Sequence, residues 1–255
     1  MQLNLNADLG ESFGPWTMGD DAALLDIVTA ANIACGHHAG DPLVMKTTVE
    51  RALSCGVDIG AHPGFHDLQG FGRRAMTLSN DELTASVQYQ IGALDAIARA
   101  SGASLTHVKP HGAMNNLACE DRGMAQTLVS AIYQCRPDLV VLAPVFSAMA
   151  DAAHDIGAKL ALEVFADRAY TDTGHLVPRS QAGAVHSTSE ACVAQVNKMI
   201  SSGGIPTISG NVLATPFHSI CVHGDNAHAV DTARHVRQAL TGAGHELVSL
   251  TKLAE

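Results

Sequence analysis

Short apolar runs alternate along this chain with longer stretches of helical period. Leu3, Leu5 and Ala7 alternate with Asn4, Asn6 and Asp8, the pattern of a strand whose polar positions form its outer face. Further strands are expected at 32–36, 57–61, 105–108, 139–143, 160–165 and 219–222, with a short final one at 247–250. Helices are expected between them, at about 20–28, 42–54, 79–100, 120–135, 146–156 and 187–202, and in a last stretch to about 240. Local signals set several of their ends. Asp41 followed by Pro42 caps a helix and fills its first position. Ser79 with Glu82, and Ser187 with Glu190, have capping-box spacing, and Asn226 is placed to cap the last helix. Gly56, Gly102 and Gly157 end helices, and Pro137 stops another.

A strand–helix unit repeated seven times, with buried apolar strands and no linker, predicts a parallel sheet in one domain spanning 1–255. That many units in 255 residues favour a closed (β/α) barrel over an open sheet. No G-x-G-x-x-G follows the first strand, and no P-loop occurs, so the chain carries no recognisable nucleotide motif of its own. A loop of about twenty residues after Tyr170, with Asp172, His175, Pro178 and Arg179, has the length of a lid or binding loop.

Charge and cysteine usage narrow the function. Net charge is −10 with no Lys/Arg block, which argues against nucleic acid or an anionic membrane as partner. No apolar run reaches a membrane span. The opening MQLNLNADLGE lacks a basic region followed by an apolar core, so a cytoplasmic location is expected. The six cysteines form no C-x-x-C pair and read as free thiols, with Cys35, beside two histidines, as a candidate nucleophile.

The chemistry concentrates where strands end. Successive strand ends carry Asp8 and Glu11, His37 and His38, His62 and His66, Lys109 and His111, Asp167 and Arg168, and His223 and Asp225. Only the strand ending at Pro144 lacks an ionisable residue. Barrels place catalytic residues at this mouth. Asp and His together suit either a divalent metal that activates water or metal-free acid–base work, with Lys109 or Arg168 stabilising an oxyanion. Both routes point to hydrolysis of an amide or ester. Asp8, Glu11, His37, His38, Lys109 and His111 are the catalytic candidates. Arg73, Arg74 and Lys109 are suited to a substrate carboxylate. Within NIACGHHAGD, Gly36 permits a sharp turn that aims one of the two imidazoles into the mouth and leaves the other to hold the loop.

NADLGE, NIACGHHAGD, IGAHPGFHD, VKPHGA, FADRAY and VHGDN, in this order over nearly the whole chain, resemble the LamB/YcsF family. The resemblance implies a (β/α)7 TIM-like barrel of the glycoside hydrolase/deacetylase type. It implies the A subunit of an ATP-dependent 5-oxoprolinase, which opens 5-oxo-L-proline to L-glutamate with partner subunits B and C. ATP is then a cosubstrate, bound partly or wholly by the partners. Asp167, Arg168, His223 and Asp225, with Arg73 and Arg74, become substrate-binding candidates. Comparison with deacetylase-like barrels offers Asp8, His62 and His66 as a metal set. Two rivals remain: a metal-dependent deacetylase acting alone, and a non-catalytic substrate-binding subunit.

Overall fold

The structure, a computed structural model, describes residues 1–223 and 229–254. Seven parallel strands close into a barrel: β1 (Gln2–Leu9), β2 (Ala30–Ala34), β3 (Asp58–His62), β4 (His107–Val108), β5 (Val140–Pro144), β6 (Leu160–Phe165) and β7 (Ser219–Cys221). They pair in chain order, and β7 returns to β1 through Asn4, Leu5 and Asn6. Helices α1 (Asp21–Leu25), α2 (Pro42–Cys55), α3 (Asn80–Ala100), α4 (Gly112–Glu120), α5 (Arg122–Cys135), α6 (Ala148–Asp155), α7 (Ser189–Ser202) and α8 (Ala229–Gly242) alternate with the strands. No helix among the described residues is long and apolar enough to cross a membrane.

The alternation in β1 is real, but its polar face points inward. Asn4 and Asn6 are fully buried, while Leu3, Leu5 and Ala7 pack into the main hydrophobic core. The barrel interior is therefore a hydrogen-bonded ladder. Ser219 Oγ donates to Asn4 Oδ1, and Asn6 Nδ2 donates to Ser219 Oγ and to Glu163 Oε1. Asn32 Nδ2 donates to Asn6 Oδ1 and Asp8 Oδ1, and Asn32 Oδ1 accepts from His107 Nε2 at 2.8 Å. Buried polar groups survive only when so satisfied. Burial pushes the His107 pKa down to about 3, so the ring is neutral and donates as a tautomer.

Local capping sets the loops that shape the mouth. Asp41 accepts from Leu43 and Val44 with Pro42 opening α2, and Ser79 and Glu82 form a complete capping box on α3. The second expected box is not formed. Thr188, not Ser187, caps α7 by accepting from the Ala191 amide, which leaves Glu190 one position short of N3. Thr188→Ala is expected to cost about 1 kcal/mol and lower Tm by roughly 2–4 °C, while Ser187→Ala leaves it unchanged. Thermal unfolding of the two variants distinguishes them.

Two other local expectations give way. The stretch after β4 forms α4, where no helix is expected from its Gly, two Asn and missing side-chain cap. The final strand is only Glu246–Leu247, and Leu250–Lys252 is a 3-10 turn. A small hairpin, Gly204–Pro206 with Val212–Ala214, precedes β7. Asn226, expected as a cap, lies outside the described residues.

Candidate active site

At the C-terminal mouth, β1, β3 and β4 bring Asp8, His62 and Lys109 to the floor of a cavity of about 410 Å³. Lys109 Nζ reaches Glu163 Oε1 at 2.9 Å, Asp8 Oδ1 at 3.0 Å, Cys221 Sγ at 3.1 Å and Asn6 Oδ1 at 3.3 Å. These four acceptors outnumber its three protons, so Lys109 is saturated by the barrel and serves to fix the charge around it. Burial alone would push the Asp8 carboxyl up, but positive charge gathered at His62, as a proton or a bound cation, and at Lys109 holds it well below the usual carboxylate range. Burial likewise disfavours the Lys109 ammonium, yet Asp8, Cys221 and Glu163 hold its pKa well above normal. The pair is ionised. Glu163 is different: burial raises its pKa, and Lys109 offsets this only in part.

Beside this pair stands a cluster of imidazoles around Glu11. His38 Nε2 lies 3.3 Å, His111 Nδ1 3.4 Å and His62 Nε2 4.0 Å from Glu11 Oε1. His62 Nε2 also sits 3.4 Å from Asp8 Oδ2 and 3.0 Å from His111 Nδ1. The His38 and His111 rings stack, with centroids 3.7 Å apart. Two glycines let the loops press on these rings. A Cβ on Gly64 would stand 2.7 Å from His38 Nδ1, and one on Gly72 would stand 2.9 Å from His111 Cδ2. Glu11, His38, His62 and His111 can bring one ligand atom each within 4.8 Å of one another.

Adjacent residues His37 and His38 point apart. Gly36 turns the backbone at φ +94°, His38 is buried in the cluster, and His37 is half-buried. His37 stacks on Tyr89 and lies against His66, with Ser86 at hydrogen-bonding distance. His66 is exposed, because buried Phe65 turns the segment so that the next side chain faces solvent. Asp8, His62 and His66 are thus not gathered around one point. Arg74 is exposed and pairs with Asp67 of its own loop. Asp225 lies outside the described residues. Burial pushes the Cys35 thiol up to about 12, which suits a packed side chain rather than a nucleophile.

Basic residues line the opposite wall. Arg73, Arg168 and Arg179 all face the cavity. Arg168 is anchored by donating to the carbonyls of Val177 and Ala184. Burial, then the neighbouring Arg179, hold its pKa below the usual guanidinium value. Asp167 pairs with His223 Nδ1 at 2.8 Å. Arg73 comes from the loop after β3, while the long loop after β6 supplies Arg168 and Arg179, tied down by bridges between Arg168 and Val185 and between Tyr170 and Leu176. Its length alone marks it as functional. Arg179, Glu163 and His107 are not among the expected site residues. A charged or imidazole side chain inside an otherwise apolar buried strand is the signal that finds the last two.

The LamB/YcsF family model matches residues 3–255. This chain belongs to the LamB/YcsF family. It is 52% identical over 255 residues to the 5-oxoprolinase A subunit of Azoarcus sp. (strain BH72), covering 100% of each chain. It is 49% identical over 245 residues to the 5-oxoprolinase A subunit of Nitrobacter hamburgensis, covering 96% of each. The crystal structure of a lactam utilization protein from Thermus thermophilus superposes with a TM-score of 0.92 at 40% identity, over 97% of this chain and 99% of that one. A chitinase from Pseudoalteromonas aurantia shares the barrel alone, with a TM-score of 0.53 at 9% identity over 93% and 100% of the two chains.

Proposed function

We propose that this LamB/YcsF protein is the A subunit of an ATP-dependent 5-oxoprolinase, and that its barrel mouth is where the lactam is held and opened. The observation that carries the reading is a cavity with an ionised, buried Asp8–Lys109 pair on its floor and three arginines on its wall. It is supported by full-length relatives named for that activity. Opening 5-oxoproline adds water at the ring carbonyl carbon, breaks the C–N bond and gives the amine a proton. A five-membered lactam is a stabilised amide, so its carbonyl must be activated and its water positioned. ATP serves the first need by phosphorylating the amide oxygen, and ADP and phosphate are the other products. Asp8, kept ionised by Lys109, accepts the proton of the attacking water. Glu11, His38 and His111 hold the imidazole cluster next to it, while Arg73 and Arg168 receive the substrate carboxylate with Asp167 and His223 at the rim. Nucleotide binding falls partly or wholly to partner subunits B and C.

The arginine wall gives a direct expectation. The uncharged amide of 5-oxoproline should bind at least ~10-fold worse than the acid, the scale of one lost charge-assisted hydrogen bond. Equal inhibition by the two compounds would rule out carboxylate recognition here. The reading as a whole is tested by 5-oxoproline-dependent release of glutamate and ADP from the chain mixed with subunits B and C. Turnover only in the mixture supports it. A chain that deacetylates an amidated sugar alone, without ATP, would favour the rival deacetylase reading. Full activity of a mixture containing Asp8→Asn would favour a purely binding role.

A further inference from the structure

The tautomers in the imidazole cluster are fixed by the backbone. His62 Nδ1 lies 2.6 Å from the Lys109 carbonyl oxygen, so Nδ1 carries the proton and Nε2 offers a lone pair. His111 Nε2 lies 2.8 Å from the Phe71 carbonyl oxygen, so Nδ1 offers its lone pair. These two lone pairs face each other at 3.0 Å, with the Glu11 carboxylate oxygen 3.4 and 4.0 Å away. Three electron-rich atoms thus converge on one point in a buried site, an arrangement that repels itself unless a cation sits among them. A single proton between the two nitrogens would serve that pair, with the carboxylate oxygen 3.3 Å from His38 Nε2, whereas one divalent ion is reached by all three atoms together. A four-coordinate ion with ligands at about 2.1 Å requires ligand atoms roughly 3.3–3.4 Å apart, the middle of the observed spread.

We propose that Glu11, His62 and His111 bind one divalent transition-metal ion of the zinc type, with its open position toward the cavity that His62 and His111 line. Imidazole and carboxylate donors in this number suit such an ion, and three protein ligands with one open position is the catalytic form. Both histidines donate their other ring N–H to a backbone carbonyl, the outer contact that orients metal-ligating imidazoles. His38 is the outer-shell partner rather than a ligand. Its Nδ1 has no hydrogen-bond partner among the described residues, and an orphaned lone pair costs less than an orphaned N–H. The proton therefore belongs on Nε2, which donates to Glu11 at 3.3 Å. This assignment rests on the proposed amide-opening reading only for its use: the ion would polarise the lactam carbonyl beside Asp8.

The test is metal binding by the full chain, independent of turnover. Metal-free protein titrated with Co2+ should bind one equivalent with the intense visible bands of a four-coordinate site, and Zn2+ should displace it and raise Tm. Glu11→Gln and His111→Ala should lose the stoichiometric site. His38→Ala should keep one equivalent at ~10–100-fold weaker affinity. If a variant fails to fold, the wild-type titration still decides. No saturable binding, or octahedral Co2+ bound equally by Glu11→Gln, would overturn the site and leave a proton as the cation. Stoichiometric metal in a chain that supports no 5-oxoproline turnover with its partners would keep the site and overturn the reading of function. No Co2+ uptake by a chain that turns over 5-oxoproline fully with its partners would keep the reading of function and overturn the site.

Discussion

Asp8→Asn is expected to lower turnover of the assembled enzyme by on the order of 10²-fold or more, the scale for removing a key electrostatic group, and to lower Tm as well, because Lys109 loses a buried anionic partner. Asp8 Oδ1 accepts from Asn32 Nδ2 at 2.9 Å and from Lys109 Nζ at 3.0 Å, and Oδ2 faces His62 Nε2 at 3.4 Å. The amide keeps the shape and can still accept from Lys109 through its oxygen. It removes the charge that makes Asp8 a base, and it turns an N–H2 donor toward His62. Lys109 then retains only Glu163 as an anionic partner, so the proton shared within that buried group shifts as well. Steady-state rates with thermal unfolding measured on the same preparations decide the matter. Unchanged turnover in a folded variant would remove Asp8 from the chemistry.

The largest effect on stability is expected at Gly60→Ala. Gly60 faces the barrel interior on β3, and a Cβ there would lie 2.1 Å from His107 Nε2 and 2.3 Å from His107 Cδ2. The ring cannot retreat, because Nε2 is bound to Asn32 and Nδ1 lies 2.8 Å from Thr106 Oγ1. Either the ring leaves and orphans Asn32 Oδ1, or β3 moves. Overpacking of this kind costs about 3 kcal/mol or more, and the loss of a buried hydrogen bond adds to it. A fall in Tm of roughly 6–12 °C follows for a chain of this size. Calorimetry of the variant measures it, and a Tm within a degree or two of wild type would show that the interior is loose enough to repack.

Physical locality explains what the sequence disclosed. The alternation of strands and helices, the Asp41–Pro42 start of α2 and the Ser79–Glu82 box depend on residues a few positions apart, and all are present. So is the closing of seven strands into a barrel, which follows from the repeat. The face of β1 was not legible, because Leu3, Leu5 and Ala7 against Asn4 and Asn6 fit either orientation until the ladder to Ser219, Asn32 and Glu163 is known. The same limit governs the mouth. Strand-end position identified His38, His62 and His111 as candidates together with His37 and His66. What separates them is the burial of Phe65 and the closeness of Gly64 and Gly72, contacts between segments far apart in the chain. Arg179 was legible only as a member of a lid or binding loop: that it reaches the cavity depends on how the loop after β6 folds back over it.

The central claim is that the barrel mouth itself receives the lactam, and equilibrium dialysis of labelled 5-oxo-L-proline against the purified chain tests it most directly. One bound molecule per chain is expected, with affinity at least ~10-fold weaker in Arg168→Ala, which removes a charged partner of the substrate carboxylate. No binding to the folded wild-type chain, or equal binding by the variant, would contradict the account.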